Sequence, residues 1–161
     1  MLNKLRRFGL LALTLVAVGA AIPAAAAGAQ APLVPVLTNV RTGQHAGFDR
    51  VVLDLNGPRP EFFIRCVDQL IADPSGNPVN LPGSYFLEVR SAPAAAHDDA
   101  GNPTYTGPRQ FDTPGLANVQ AFAITGDFEA NLTVGLGLRR DSWHRVLLLD
   151  APTRLVIDVG H

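Results

Sequence analysis

Apolar and polar residues alternate with a period of two in several short stretches of the chain, and two of these carry nearly the same hexapeptide. Arg50-Val51-Val52-Leu53-Asp54-Leu55 is echoed by Arg154-Leu155-Val156-Ile157-Asp158-Val159. Val51, Leu53 and Leu55 fall on one face of the first copy, and Arg50, Val52 and Asp54 on the other. The second copy sets Leu155, Ile157 and Val159 against Arg154, Val156 and Asp158. Alternation over six residues rich in β-branched side chains predicts half-buried strands. Further strands are expected at 37–41, 62–67, 85–90, 119–125, 132–138 and 145–149, separated by Gly, Pro, Asn and Asp, with no convincing long amphipathic helix. Regularly spaced short strands with turn signals predict an all-β domain, an antiparallel β-sandwich of about eight short strands.

The echo also predicts a pairing. Arg50 and Asp54 stand about 13 Å apart along one strand and cannot meet. With the two copies antiparallel and Val52 opposite Val156, Arg50 faces Asp158 and Asp54 faces Arg154. Those are two opposite-charge cross-strand pairs worth roughly 0.2–1 kcal/mol each. A parallel arrangement sets like charges together. The echo is therefore expected to close the domain, which makes it architecture and turns the search for function toward the long loop and the turn at Trp143.

Two turns share the pattern D-x-x-G-N-P, at 73–78 and 98–103. Asp can bond its own backbone two residues on, Gly accepts the left-handed conformation, and Pro ends further pairing. Tight reversals are expected rather than calcium loops, because the ligand ladder of an EF-hand is missing. The stretch from Ala92 to Gly115 is the longest without strand signals, and a loop of that length is expected to be functional or mobile.

Lys4, Arg6 and Arg7 precede an apolar stretch over 8–22, then Pro23 and a run of small residues, which predicts a secretory signal peptide cleaved best after Ala29, with Ala26 and Ala27 as alternatives. The expected organisation is a signal peptide at 1–29, an Ala/Pro-rich leader at 30–37 and one domain at 38–161. The apolar stretch is too short and too rich in Ala and Gly for a comfortable membrane span, and no other segment is long enough, so no transmembrane anchor is expected in the mature chain. About 130 residues suffice for one cored domain. Export removes three of the 13 Lys+Arg and none of the 14 Asp+Glu, so the formal net charge falls from −1 to −4. Nucleic acid and anionic membranes call for a basic patch, which argues against both as partners. Cys66 is alone, so no internal disulfide can form. It shares an alternation with Phe62 and Ile64, which predicts a buried, inert thiol.

Catalytic signatures are missing. There is no G-x-S-x-G elbow, no H-E-x-x-H and no paired Cys/His set, so neither a metal nor another cofactor is called for. His45, His97, Asp98, Glu129 and His161 could converge on one rim as a metal or acid–base cluster; the favoured reading is that each caps its own turn or bonds a backbone carbonyl. Trp143 lies in a polar turn beside Arg139 and Arg140, where a half-exposed ring could stack on a sugar or sit folded over the sandwich end. Trp143, Tyr105, Arg109 and Arg140 are the candidate ligand contacts.

Gly47-Phe48-Asp49-Arg50-Val51-Val52-Leu53-Asp54-Leu55 together with Pro152-Thr153-Arg154-Leu155-Val156-Ile157-Asp158-Val159 resembles the opening and closing strands of the AMIN-like domain of secreted actinobacterial proteins. Ala96-His97-Asp98, Gly126-Asp127-Phe128-Glu129, Gly135-Leu136-Gly137-Leu138 and His161 fit the same family. The resemblance implies a β-sandwich related to the AMIN domains of cell-wall amidases and secretins. It implies a secreted, envelope-associated and non-catalytic module that binds peptidoglycan, as cell-wall glycan or peptide, or another envelope protein. The chain stops two residues after its last strand, so amidase activity is not carried over. Two other readings stay open: a hydrolase using His97, Asp98, Glu129 and His161, and an interaction module pairing through an edge strand.

Overall fold

A computed structural model describes residues 33–161. The predicted signal peptide and the first residues of the leader lie outside the described residues. Strands β1 (Val36–His45), β2 (Phe48–Asn56), β10 (His144–Leu149) and β11 (Thr153–Gly160) form a four-stranded sheet in the order β1-β2-β11-β10. Strands β3 (Glu61–Val67), β6 (Tyr85–Ala92), β7 (Gln110–Asp112), β8 (Val119–Phe128) and β9 (Asn131–Leu138) form a five-stranded sheet in the order β3-β6-β9-β8-β7. The short pair β4 (Leu70–Ile71) and β5 (Pro78–Val79) makes a separate hairpin. Every pairing within the sheets is antiparallel.

The facing residues of the two sheets make one core. Leu37, Val51, Leu53, Leu55, Leu155, Ile157 and Val159 come from the first sheet; Leu87, Val89, Phe122, Ile124, Leu132, Val134 and Leu136 come from the second. A period of two puts each such set on one side of its strand, and burial of that side fixes the register. The echoed strands are central neighbours, with Val156 opposite Val52, Asp158 opposite Arg50 and Arg154 opposite Asp54, as the charge pattern predicts. Arg50 donates to both carboxylate oxygens of Asp158, at 2.7 and 2.9 Å. The second expected pair is replaced: Asp54 accepts two bonds from Arg41, at 2.8 and 2.6 Å. β1 lies on the other side of β2 and brings a second arginine to the same carboxylate.

A smaller apolar cluster lies on the outer face of the five-stranded sheet, where Leu70 and Leu81 cover Ala121 and Ala123. The β4–β5 hairpin reaches this face because Gly135 and Gly137 present no side chain there. A Cβ on Gly135 would run into the Leu70 side chain, and one on Gly137 into the Pro82 carbonyl. The Gly-x-Gly of β9 thus records a close backbone approach.

The 92–115 stretch, expected to be functional or mobile, is tied down in part as a packed strap. Ala94, Ala95 and Ala96 are buried, Leu37 N–H donates to Ala95 O, and the Thr104 hydroxyl donates to Leu37 O. Both D-x-x-G-N-P segments are tight reversals: in the second, Asp98 accepts from the backbone N–H groups of Ala100 and Asn102 at 3.0 and 2.8 Å, and in the first, Gly76 N–H donates to Ala72 O at 2.7 Å. The Asp73 N–H also donates to Thr125 O and pins that hairpin to β8. Cys66 is exposed, not buried. It lies on an edge strand near an opening shared with Tyr85, Ser142 and His144, and only β6 flanks it.

Candidate functional site: an aromatic and arginine shelf

The outer face of the four-stranded sheet is ordered in rows by its register. In the row nearest one end, His45 stands opposite Phe48, and Phe48 opposite Gly160. In the next, Gly43, Arg50, Asp158 and Arg145 follow one another across the four strands. Trp143, one residue before β10, accepts the Gly160 N–H at its carbonyl, 2.9 Å away. Its indole lies over Gly160, where a Cβ would run into the ring. The ring is 52% exposed.

These side chains form a continuous shelf. The His45 and Phe48 rings stack at 4.7 Å with 6° between their planes, and Trp143 follows at 6.2 Å from Phe48 with a 54° tilt. The Arg50 guanidinium sits 5.2 Å from the Phe48 centroid; that of Arg145 lies 5.7 Å from Phe48 and 6.0 Å from Trp143. All three distances suit cation–π attraction, about 0.5–1 kcal/mol each at exposed sites. Asp158 is fully buried and fixes both arginines, with Arg145 Nε donating to its Oδ2 at 2.8 Å. Burial pushes the Asp158 carboxyl upward, but the bonds from Arg50 and Arg145 outweigh it, and the group is held below the usual carboxylate range.

The end of the sandwich beneath the shelf is braced. Asp49, also fully buried, points inward from β2 and accepts the backbone N–H groups of Ala117, Asn118 and Val119 at 3.1, 2.6 and 2.9 Å. One carboxylate thereby ties the first sheet to the start of β8. The Asn118 side chain donates to Gly160 O at 2.8 Å and accepts the Arg140 N–H at 3.0 Å. The His161 N–H donates to Gly47 O, and its ring Nε2 lies 3.2 Å from His45 O. The β1–β2 turn, the end of β11 and the Trp143 turn are therefore held to one another.

Of the four candidate contacts, Trp143 and the exposed Arg140 lie at this end. Tyr105 does not present itself to a ligand: it is 9% exposed, packs in the main core and donates its hydroxyl to Pro108 O. Arg109 lies at the opposite end, 3.6 Å from Asp127. The proposed polar cluster is divided in the same way. His45 and His161 belong to the shelf end. His97, Asp98 and Glu129 lie at the other, beyond strands of eight to ten residues, roughly 25–30 Å away. There Asp127 accepts the Ala96 N–H at 2.9 Å and lies 3.1 Å from His97 Nδ1, holding the strap to β8. The convergence that a hydrolase of His97, Asp98, Glu129 and His161 needs is not made. Among the described residues, no three His, Cys, Asp or Glu side chains are placed to hold a metal.

Phe48, Arg145 and Gly160 are shelf residues missed in the sequence, and Arg50, read there as architecture alone, is a fourth. The available signal was parity: Phe48 precedes Arg50 by two positions, Trp143 precedes Arg145 by two, and Gly160 follows Asp158 by two. No helix among the described residues is long and apolar enough to cross a membrane.

Comparison with known proteins adds one finding. Searches of curated proteins and of solved structures returned no match. A family model describing the AMIN-like domain matches residues 35–161, which include both echoed strands, the shelf and the Asp49 brace. That family suggests a cell-wall-associated binding module of extracytoplasmic proteins. The chain belongs to the AMIN-like domain family.

Proposed function

We propose that this protein is a secreted, non-catalytic module that binds peptidoglycan through the outer face of the four-stranded sheet. The observation that carries the reading is the half-exposed Trp143 ring, seated on Gly160 and continued by Phe48 and His45, with Arg50 and Arg145 held beside it. The open face of the Trp143 indole takes the face of a sugar ring, and adjacent guanidinium groups supply donors to its carbonyl and acidic substituents. Peptidoglycan offers both kinds of group on one polymer. Both faces of the contact are assembled before ligand arrives, because Asp158 and the Asp49 brace hold the shelf in place, and such preorganisation limits the ordering cost of binding.

Co-sedimentation with isolated sacculi tests this. The protein is expected to pellet with sacculi, and Trp143→Ala to weaken binding about tenfold, since stacking on one aromatic ring is worth on the order of 1–1.5 kcal/mol. Thermal unfolding of the variant in parallel separates lost contact from lost fold. Binding no better than that of an unrelated acidic domain would reject the proposal.

A further inference from the structure

We infer that the shelf reads a carboxylate: the ligand lays a ring face on Trp143 and presents an acidic group to Arg50 and Arg145. The inference rests on the wall-binding proposal and narrows it to acidic wall polymer over neutral glycan. Its first support is a local imbalance of charge. Asp158 is a single carboxylate shared by two guanidinium groups, each contributing its Nε and Nη2. Neither Nη1 group has a hydrogen-bond partner among the described residues. The side chains of Arg50 and Arg145 are 30% and 52% exposed, so one positive charge and several donors remain open to solvent.

The second support is the distribution of charge over the molecule. The outer face of this sheet carries Arg41, Arg50, Arg145 and Arg154 against Asp54 and Asp158, a net charge of +2. Residues 33–161 as a whole hold ten arginines against fourteen acidic residues. Positive charge is thus gathered on the face that bears the aromatic row, and an anionic partner is drawn there from an otherwise acidic surface.

Spacing supplies the third. The Arg145 guanidinium stands 6.0 Å from the Trp143 centroid, and that of Arg50 5.2 Å from the Phe48 centroid. That is roughly the reach from the centre of a stacked sugar to a carboxyl on one of its substituents. Planar guanidinium groups also match carboxylate geometry better than that of a hydroxyl. In the wall, such a carboxylate comes from the glycan itself or from its peptide stems. The recognition chemistry is the same for both.

The test compares native sacculi with sacculi whose carboxyls have been coupled by carbodiimide to ethanolamine, which leaves phosphodiesters intact. Blocking is expected to weaken the wild-type protein about tenfold, the loss typical of one charge-assisted hydrogen bond. Arg145→Gln should be weakened about tenfold on native sacculi and be indifferent to blocking. In this variant Arg50 still bonds both oxygens of Asp158, and the blocking comparison itself needs no variant. Equal wild-type binding to native and blocked sacculi overturns the inference while leaving wall binding intact. Binding to neither form overturns the wall proposal as well. Competition with stem peptides and with stripped glycan strands, separated after amidase digestion, identifies the source of the carboxylate. Competition by neither fraction also overturns the inference.

Discussion

Asp158 is the residue on which the shelf depends, because it is fully buried and bonded to two arginines from different strands. Replacing it with Asn keeps the shape and removes the charge, leaving Arg50 and Arg145 facing one another without a counter-ion. Breaking a buried pair costs about 3–5 kcal/mol. Both arginines here are partly in water, so about 2 kcal/mol is the expected loss for Asp158→Asn in urea unfolding at pH 7. The folded carboxyl is held below its ordinary range. Its stabilisation is therefore fully present above the unfolded value near pH 4 and is lost as pH falls through the lower folded value. The gap between wild type and variant should narrow at pH 2–3; a gap that widens there contradicts this role. The Arg50–Asp158 pair was readable from the echoed hexapeptides because both partners sit in the motif. Arg145 was not, since nothing in the sequence shows that β10 flanks β11 on its far side. Arg41 escaped for the same reason, and it took Asp54 from Arg154.

At the scale of elements, the eight strands expected from alternation are all present, while β4, β5 and β7 escaped notice. Those three are two or three residues long, too short to show a period. Their positions follow from tertiary features, above all the bare backbone at Gly135 and Gly137. Cys66 was misread because alternation reports the face of a strand but not its place in the sheet, and β3 is an edge. The β8–β9 turn shows local preference overridden. Phe128 pairs with Asn131 across a two-residue loop in which Glu129 and Ala130 have φ of 49° and 55°. Such loops favour Asn-Gly, since only residues tolerant of positive φ enter them without strain. The Asn131 amide, donating to Glu129 O at 2.9 Å, and the bond from Ala94 N–H to Ala130 O hold this turn in shape. Ala130→Gly is expected to stabilise the protein by roughly 0.5–1 kcal/mol, read as a rise of a few degrees in Tm. A fall in Tm would show that the turn is not strained as described.

The whole molecule has two ends with different work. At one, Asp127 gathers the strap through Ala96 and His97; at the other, Asp49 and Asn118 join the sheets beneath the shelf. Residues that looked like one polar cluster in sequence are divided between them, because antiparallel strands carry neighbouring motifs to opposite ends. The echoed hexapeptides, by contrast, serve both purposes. Their apolar faces build the core, and their outward residues Arg50 and Asp158 form the floor of the shelf, so architecture and candidate site share one motif. Trp143 is the only tryptophan in the chain, which makes the central claim directly readable. Titration of the protein with muramidase-solubilised peptidoglycan, followed by tryptophan emission, should give a saturable change in intensity and a blue shift as a sugar ring covers the indole. Emission that stays unchanged at concentrations where the fragments are bound by an independent method would contradict the shelf as the binding site.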